Sequence, residues 1–388
     1  MITYESVSKI FGTGRNAVAA LRNVSFTVEK GQVVVLLGPS GCGKTTTLRL
    51  TNRLESLTRG RISVNGEDIH DINAVKLRQS MGYVIQEIGL FPNKTIAQNI
   101  SVVPKMLGWR RNDIERRIDE LFRMVNLDPG TFRDRYPAEL SGGQQQRIGV
   151  ARGLAADPEI LLMDEPFGAI DPINRTQIQD EFLRLQAKLK KTVVFVSHDI
   201  HEAIKVGDKI ALFRGGELVQ YDTPELILTR PCNDFVADFV GADRALKVLG
   251  LQRVRDAVAG RPENVVSSAM QTEEALHCME AKDFEYVIVV DDGDRPVGYV
   301  TRKHLKHETG QVSEWVHPLP AVAEPREVLR DALGRMLMHD LMELCVVDDD
   351  GKLSGIIDYR DMQKSITEIY AGDGAREGRT AGDEQGRA

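Results

Sequence analysis

The chain has 388 residues, 42% hydrophobic and 28% charged, with a formal net charge of −7 and an isoelectric point near 5.7. Such a length predicts two or three domains, and the acidic balance gives no general basic surface of the kind that binds nucleic acid. Cys42, Cys232, Cys278 and Cys345 show no metal or CxxC spacing and read as free thiols of a reducing compartment; the early segment is broken by Glu5, Lys9 and Arg15, unlike a signal peptide, and no apolar run approaches the ~20 residues of a spanning helix, so a membrane role is expected only through a partner.

In chain order, ITYESVSKIF and ALRNVSFTVEKG alternate apolar and polar residues and predict half-buried strands. QVVVLLG, Gln32 to Gly38, is continuously apolar and predicts a buried central strand, with a helix following in GKTTTLRLTNRL. The pattern then turns helical as far as Asp157, with Ile114, Ile118, Leu121, Phe122 and Val125 at helical spacing. EILLMDEP and TVVFVSHD predict parallel strands that deliver polar groups at their C-terminal ends, where α/β sheets place ligands. A hairpin and a short helix after Pro224 follow, and the first domain is expected to close near residue 240.

The remainder repeats itself. Ala275/Ala332, Leu276/Leu333, Met279/Met336, Asp283/Asp340 and Gly298/Gly355 align without gaps, and each copy predicts helix, strand, acidic turn, strand, helix. The last stretch, AGDGAREGRTAGDEQGRA, has almost nothing to bury and is expected to be disordered.

GPSGCGKT, running Gly38, Pro39, Ser40, Gly41, Cys42, Gly43, Lys44, Thr45, fits the phosphate-loop spacing between a buried strand and a helix. Its glycines let backbone N–H groups wrap phosphates, with Thr46 next in line; Lys44 reaches the terminal phosphates and Thr45 offers a hydroxyl to Mg²⁺. Asp164 ends an apolar strand as a second Mg²⁺ ligand, and Glu165 stands one residue beyond, where it polarises an attacking water. Gln86 offers a carbonyl to Mg²⁺ and an amide to water, and His198 offers an imidazole to a γ-phosphate and to Glu165; taken alone, Gln86 reads rather as a surface residue and His198 rather as a structural histidine. LSGGQQQRIGV opens another helix with a glycine turn suited to phosphate but lacking a lysine.

The order of phosphate loop, Gln86, LSGGQ, ILLMDEP, GAID and His198 resembles that of the ATP-binding cassette (ABC) ATPases. The resemblance implies an α/β fold: a P-loop NTPase cassette with a RecA-like core, an N-terminal antiparallel sheet and a helical subdomain at about 87–157. It also implies a head-to-tail dimer in which each ATP lies between the phosphate loop of one subunit and Ser141, Gly142, Gly143 and Gln144 of the other. Asp171 would lie at the seam, and Phe11 would stack on adenine, the alternative for Phe11 being a core phenylalanine. The loop around Gln86, from Glu87 to Lys105, would face transmembrane permease subunits. YVIQEIGLFPNKTIAQNI and VQYDTPELI look like the ATPase subunits of osmoprotectant importers for glycine betaine, choline or carnitine, which also employ a substrate-binding protein. Such a subunit sits peripherally on the cytoplasmic face of the inner membrane.

The C-terminal repeat looks like a tandem pair of cystathionine-β-synthase (CBS) domains, an α+β module. The expected layout is a cassette at 1–240, a linker at 241–252, CBS domains at 253–310 and 311–370, and a tail at 371–388. Adenosyl-binding CBS repeats place a hydroxyl residue three positions before an aspartate; here Thr301 precedes His304, and Asp358 precedes Asp361. Each copy is half matched, leaving a sensor of a regulatory nucleotide such as a cyclic dinucleotide, a sensor of ionic strength, or a dimerisation scaffold. The acidic turns Asp291–Asp292 and Asp348–Asp350 read as solvated hairpins or cation sites. The rivals are a cassette of another importer class and a soluble ABC switch protein without a membrane partner.

Overall fold

The computed structural model describes residues 1–86, 89–168, 170, 172–258 and 260–371. Asp171, Glu87 and the tail from 372 onward therefore lie outside the described residues. One unit comprises Met1–Ile227 and Pro231–Val240, the other Leu228–Arg230 and the chain from Gly241. In chain order the first unit's strands are β1 (Ile2–Phe11), β2 (Val18–Val28), β3 (Val33–Leu37), β4 (Arg59–Val64), β5 (Glu67–Asp68), β6 (Met81–Val84), β7 (Ile160–Asp164), β8 (Thr192–Val196), β9 (Lys209–Arg214) and β10 (Glu217–Asp222).

Two sheets result. One is antiparallel, in the order β2-β1-β4-β5; the other runs β10-β9-β3-β8-β7-β6 and is parallel except for β10. All residues of β3, β7 and β8 are buried, which explains sequences that are apolar throughout except for Asp164 and Thr192 at strand ends: a parallel sheet is covered on both faces. Leu48 and Leu50, on the helix Lys44–Thr51, pack with Ile2 and Tyr4 of the first sheet and with Leu36 and Val194 of the second in one cluster. Tyr4 stacks on Phe26 at 4.2 Å, and its hydroxyl lies 2.6 Å from Thr51 Oγ1. The helix after the phosphate loop is thus wedged between two sheets, which fixes the loop itself.

The helical part includes Ile96–Met106, Arg111–Met124 and Gly142–Gly153. The second buries Ile114, Ile118, Leu121 and Phe122, the face its spacing predicts. The first and third each begin with a capping box, Thr95/Gln98 and Ser141/Gln144, which satisfies N–H groups the helix itself leaves unpaired. β4, β5 and the helix Ala74–Gln79 were not foreseen from sequence.

The second unit contains β11 (Val265–Ser267), β12 (Tyr286–Val290), β13 (Pro296–Thr301), β14 (Val322–Ala323), β15 (Glu343–Val347) and β16 (Leu353–Asp358). They form two three-stranded sheets of identical plan, β11-β12-β13 and β14-β15-β16, each with a parallel and an antiparallel pair. The leading strands β11 and β14 lie upstream of the aligned repeat. Ile288 and Val290 of one sheet meet Cys345 and Leu353 of the other in a shared apolar seam.

The repeats also exchange parts. Val254, on the helix Val254–Ala257, packs into the core of the second repeat with Leu329, Met336 and Ile357. Val312 and Trp315 pack reciprocally into the core of the first, with Met279, Val289 and Val300. Backbone bonds accompany both exchanges: Val254 N–H donates to Glu327 O at 2.8 Å, and Val312 N–H to Met270 O at 2.9 Å. The stretch expected as a linker contains the helix Arg244–Leu249, and its Leu249 belongs to the second repeat's core. Its apolar residues need burial, and that core supplies it.

Candidate nucleotide-binding site

β3 leads into the phosphate loop at Gly38, where φ is +145° and a Cβ would lie 2.3 Å from Phe213 O. At Gly43 φ is +104° and a Cβ would lie 2.5 Å from Ala20 O, so neither position admits a side chain without displacing backbone. Lys44 opens the following helix, and its buried Nζ donates to Gly38 O at 2.7 Å and Pro39 O at 2.9 Å. Cys42 is buried beside it, and burial pushes the thiol up, so this is an unreactive packing sulfur. A cleft of about 270 Å³ opens above, lined by Ser40, Gly41, Gly43, Lys44, Thr45, Thr46 and Glu165. Unpaired N–H groups at a helix start, a lysine and a glycine cradle that a Cβ would fill are a fitting donor set for a polyphosphate.

Asp164 closes β7 with only 4% exposure, and its Oδ1 accepts from Thr45 Oγ1 at 2.9 Å. Burial raises its carboxyl, which the Thr45 bond opposes and Glu165 reinforces. A buried carboxylate paired with a hydroxyl fits a hard cation such as Mg²⁺, which would relieve that cost. Glu165 is non-glycine yet has φ of 45°, a left-handed conformation that costs about 1–2 kcal/mol. That turn aims its carboxylate at the cleft: Oε2 accepts from Gln86 Nε2 at 3.1 Å and lies 3.4 Å from His198 Nδ1. Gln86, Glu165 and His198, from three separate segments, are thus brought together.

Phe11 ends β1 at 39% exposure with Lys9 Nζ 4.6 Å from its ring centre, so it is not a core phenylalanine. Ser141, Gly142, Gly143 and Gln144 line a different cleft, of about 580 Å³, beside Asn126 and Phe132. Ser141 Oγ accepts the Gln144 N–H while Gln144 Oε1 accepts the Ser141 N–H, so the turn is set by its own residues. The structure therefore does not gather all the expected phosphate ligands in one cleft.

In the second unit, Thr301 Oγ1 caps its helix by accepting the His304 N–H at 3.3 Å, and Asp358 and Asp361 cap theirs reciprocally at 2.8 and 3.1 Å. Asp291 Oδ1 accepts from Gly293 and Arg295 N–H groups, and Asp348 Oδ1 from those of Asp350 and Lys352. The acidic turns are self-closed hairpins, and among the described residues there is no cluster of three or more potential metal ligands. Sequence reasoning missed Ser197, Gln179 and Glu202, buried polar residues behind His198. The only hint was a glutamate one helical turn after the histidine.

A family model for ABC transporters matches residues 21–168, and one for CBS domains matches 254–309 and 312–368. The osmoprotectant import ATP-binding protein OsmV of Salmonella typhimurium is 46% identical over 381 residues, covering 98% of this chain and 97% of that protein. The choline transport ATP-binding protein OpuBA of Bacillus subtilis is 42% identical, covering 92% of this chain and 94% of its own. Among solved structures, the dimeric structure of MJ0796, a bacterial ABC transporter cassette, is 32% identical with a TM-score of 0.52, covering 58% of this chain and 99% of that one. A dimeric post-hydrolysis state of the same cassette bound to ADP and Pi is 31% identical, also with a TM-score of 0.52, covering 58% of this chain and 99% of that one. Similarity that runs the length of the chain, over a P-loop NTPase core and a repeated C-terminal module, makes this protein a member of the ABC transporter ATP-binding proteins: an ATPase of the osmoprotectant-import family with tandem CBS domains.

Proposed function

We propose that this chain hydrolyses ATP to drive import of quaternary amines such as glycine betaine, choline or carnitine through a membrane permease. The observation that carries the reading is the division of phosphate-binding elements between two clefts, one holding Lys44, Thr45 and Glu165 and the other holding Ser141 to Gln144. A second copy, packed head to tail, completes each site. Lys44 and the loop N–H groups grip the β- and γ-phosphates, while Ser141, Gly142 and Gly143 of the partner cover the γ-phosphate, with Asp171 at the seam and Phe11 against adenine. Thr45, Asp164 and Gln86 would hold Mg²⁺, which when bound spreads the phosphate charge.

Glu165 accepts a proton from the attacking water, and His198 and Gln86 keep its carboxylate directed at the cleft. ATP bridges both subunits through its γ-phosphate and hydrolysis weakens that bridge, so nucleotide state sets whether the dimer is closed. The cassette spans 1–240 and the CBS repeats lie within 253–370. No helix among the described residues is long and apolar enough to cross a membrane. In the proposed assembly the chain works peripherally at the cytoplasmic face of the inner membrane, with a substrate-binding protein supplying the solute to the permease. The CBS pair adjusts activity in response to a nucleotide or to ionic strength.

Uptake of labelled betaine, choline and carnitine into cells with and without this chain tests the reading. Loss of uptake for at least one solute on deletion, restored by the parent but not by Glu165→Gln, is the expected outcome. Uptake of all three that persists without the chain refutes it.

A further inference from the structure

Behind Glu165 and His198 lies a polar cluster that none of these roles uses. Glu202, in the helix Ile200–Val206, is only 7% exposed. Both its carboxylate oxygens have partners: Oε2 accepts from Ser197 Oγ, and Oε1 accepts from Gln179 Nε2 at 3.2 Å. Ser197 continues the central sheet by donating its N–H to Leu36 O, and its Oγ also accepts the Asp199 N–H at 3.0 Å. Gln179 belongs to the helix Pro172–Leu189, which opens directly after position 171. A second strap runs alongside: Arg175 of that helix lies 3.9 Å from Asp199 Oδ2 and donates to Ile170 O at 3.0 Å. Glu165, His198 and Glu202 line the same small cavity.

A buried carboxylate is an expensive way to fill space, since an apolar side chain of that size packs without desolvating a charge. Burial indeed raises the Glu202 carboxyl, while Ser197 and Gln179 act in the opposite direction. What the carboxylate supplies is direction, because it accepts from two donors on two separate elements. Both sequence neighbours of His198 are tied into this arrangement, Ser197 through its hydroxyl and Asp199 through its N–H.

We infer that Glu202 is a positioning residue for hydrolysis: by joining the Ser197–Asp199 turn to the helix Pro172–Leu189, it holds the His198 imidazole against Glu165 and couples it to the segment proposed to meet the partner subunit. The inference rests on the roles proposed above for Glu165 and His198.

The test is steady-state hydrolysis by the full chain carrying Glu202→Gln. The amide keeps the volume but presents an NH2 where the carboxylate presented a second acceptor, so Ser197 or Gln179 must turn its own group to accept rather than donate, and the turn is held differently. Because misplacing a catalytic group by about 1 Å costs on the order of 100-fold, kcat is expected to fall by about 10- to 100-fold. Affinity for ATP should stay within about twofold of the parent, since Lys44 and the loop are untouched, and Tm should not drop, because a buried charge has been removed. Adding Gln179→Glu to Glu202→Gln moves the carboxylate across the same contact, restores the donor–acceptor count and should recover most of the lost kcat. Parental kcat in Glu202→Gln overturns the inference, as does a kcat loss that tracks lower Tm or weaker ATP binding, or an exchange that recovers nothing. Glu165→Gln, run in parallel, separates the two levels: normal turnover there overturns the underlying site, whereas an inactive Glu165→Gln beside a fully active Glu202→Gln overturns only the role of Glu202.

Discussion

Gly142→Asp separates what the chain needs for itself from what a partner needs of it. Gly142 is the first residue of its helix, is exposed, and a Cβ there meets nothing within 4 Å. Within one chain the substitution is mild or favourable. An aspartate in the first turn gains about 0.3–1 kcal/mol from the helix dipole, and losing the glycine removes an entropic penalty of about 0.5–1 kcal/mol. At roughly 2–4 °C per kcal/mol for a unit of this size, Tm should hold or rise by a few degrees. In the proposed closed dimer the same carboxylate would face the γ-phosphate of ATP bound to the partner. Two like charges about 4 Å apart at an effective dielectric near 20 repel by roughly 4 kcal/mol, on the order of a thousandfold. The assay has three arms: kcat/KM for hydrolysis, ATP affinity of the monomer, and ATP-dependent dimerisation by size exclusion in the Glu165→Gln background. Turnover and dimerisation should collapse while monomer affinity and Tm do not. Parental turnover in Gly142→Asp refutes the shared site; weaker ATP binding by the monomer would mean that the turn serves its own chain's nucleotide.

Three further expectations concern single residues. Phe11→Ala removes a partly exposed ring with Lys9 over it, so Tm should fall by no more than a few degrees while the Kd for ATP rises roughly tenfold, base stacking being worth about 1–3 kcal/mol; isothermal titration checks it. Gly38→Ala forces a Cβ against Phe213 O at a φ that strains any side chain, and should cost about 1–3 kcal/mol of stability and abolish ATP binding, read by thermal melts with and without nucleotide. Glu343 is raised by burial and by Asp358 and Asp361, against its bond to Tyr286. A carboxyl raised on folding gives stability that is fully present below its ordinary, unfolded pKa and is lost as pH rises through the folded one. Glu343→Gln should therefore melt higher than the parent at neutral pH, with the gap closing as pH falls toward the ordinary glutamate range; a gap that widens on acidification contradicts this.

The central sheet was legible because β3, β7 and β8 are apolar runs with polar residues only at strand ends, and the phosphate loop because its spacing is geometric. The helix from Arg111 was legible from its buried face. β4 was not, since RGRISV buries only Ile62 and Val64 and leaves little pattern to see. The Gln179–Glu202 bond joins one helix to the next, across the strand between them, and pairing of that kind is set by tertiary packing rather than by local spacing. The left-handed backbone at Glu165 was equally invisible, because nothing in the residue type announces it. Four residues of LSGGQ were readable as a phosphate turn, but their own fold places them in a cleft away from Lys44, which is why the role proposed for them needs a second chain.

The reciprocal placement of Val254 and Val312 has a thermodynamic consequence for the C-terminal module. Cutting between the repeats would leave each half with a hole, one missing Val254 and the other missing Val312 and Trp315. Neither copy can loosen without stripping contacts from its twin, so the pair melts as one cooperative transition rather than two. A ligand that stabilises one copy therefore stabilises the other by linkage, whichever copy it occupies. Were such a ligand bound, the module would answer as a single unit with one threshold, not as two gauges read in series.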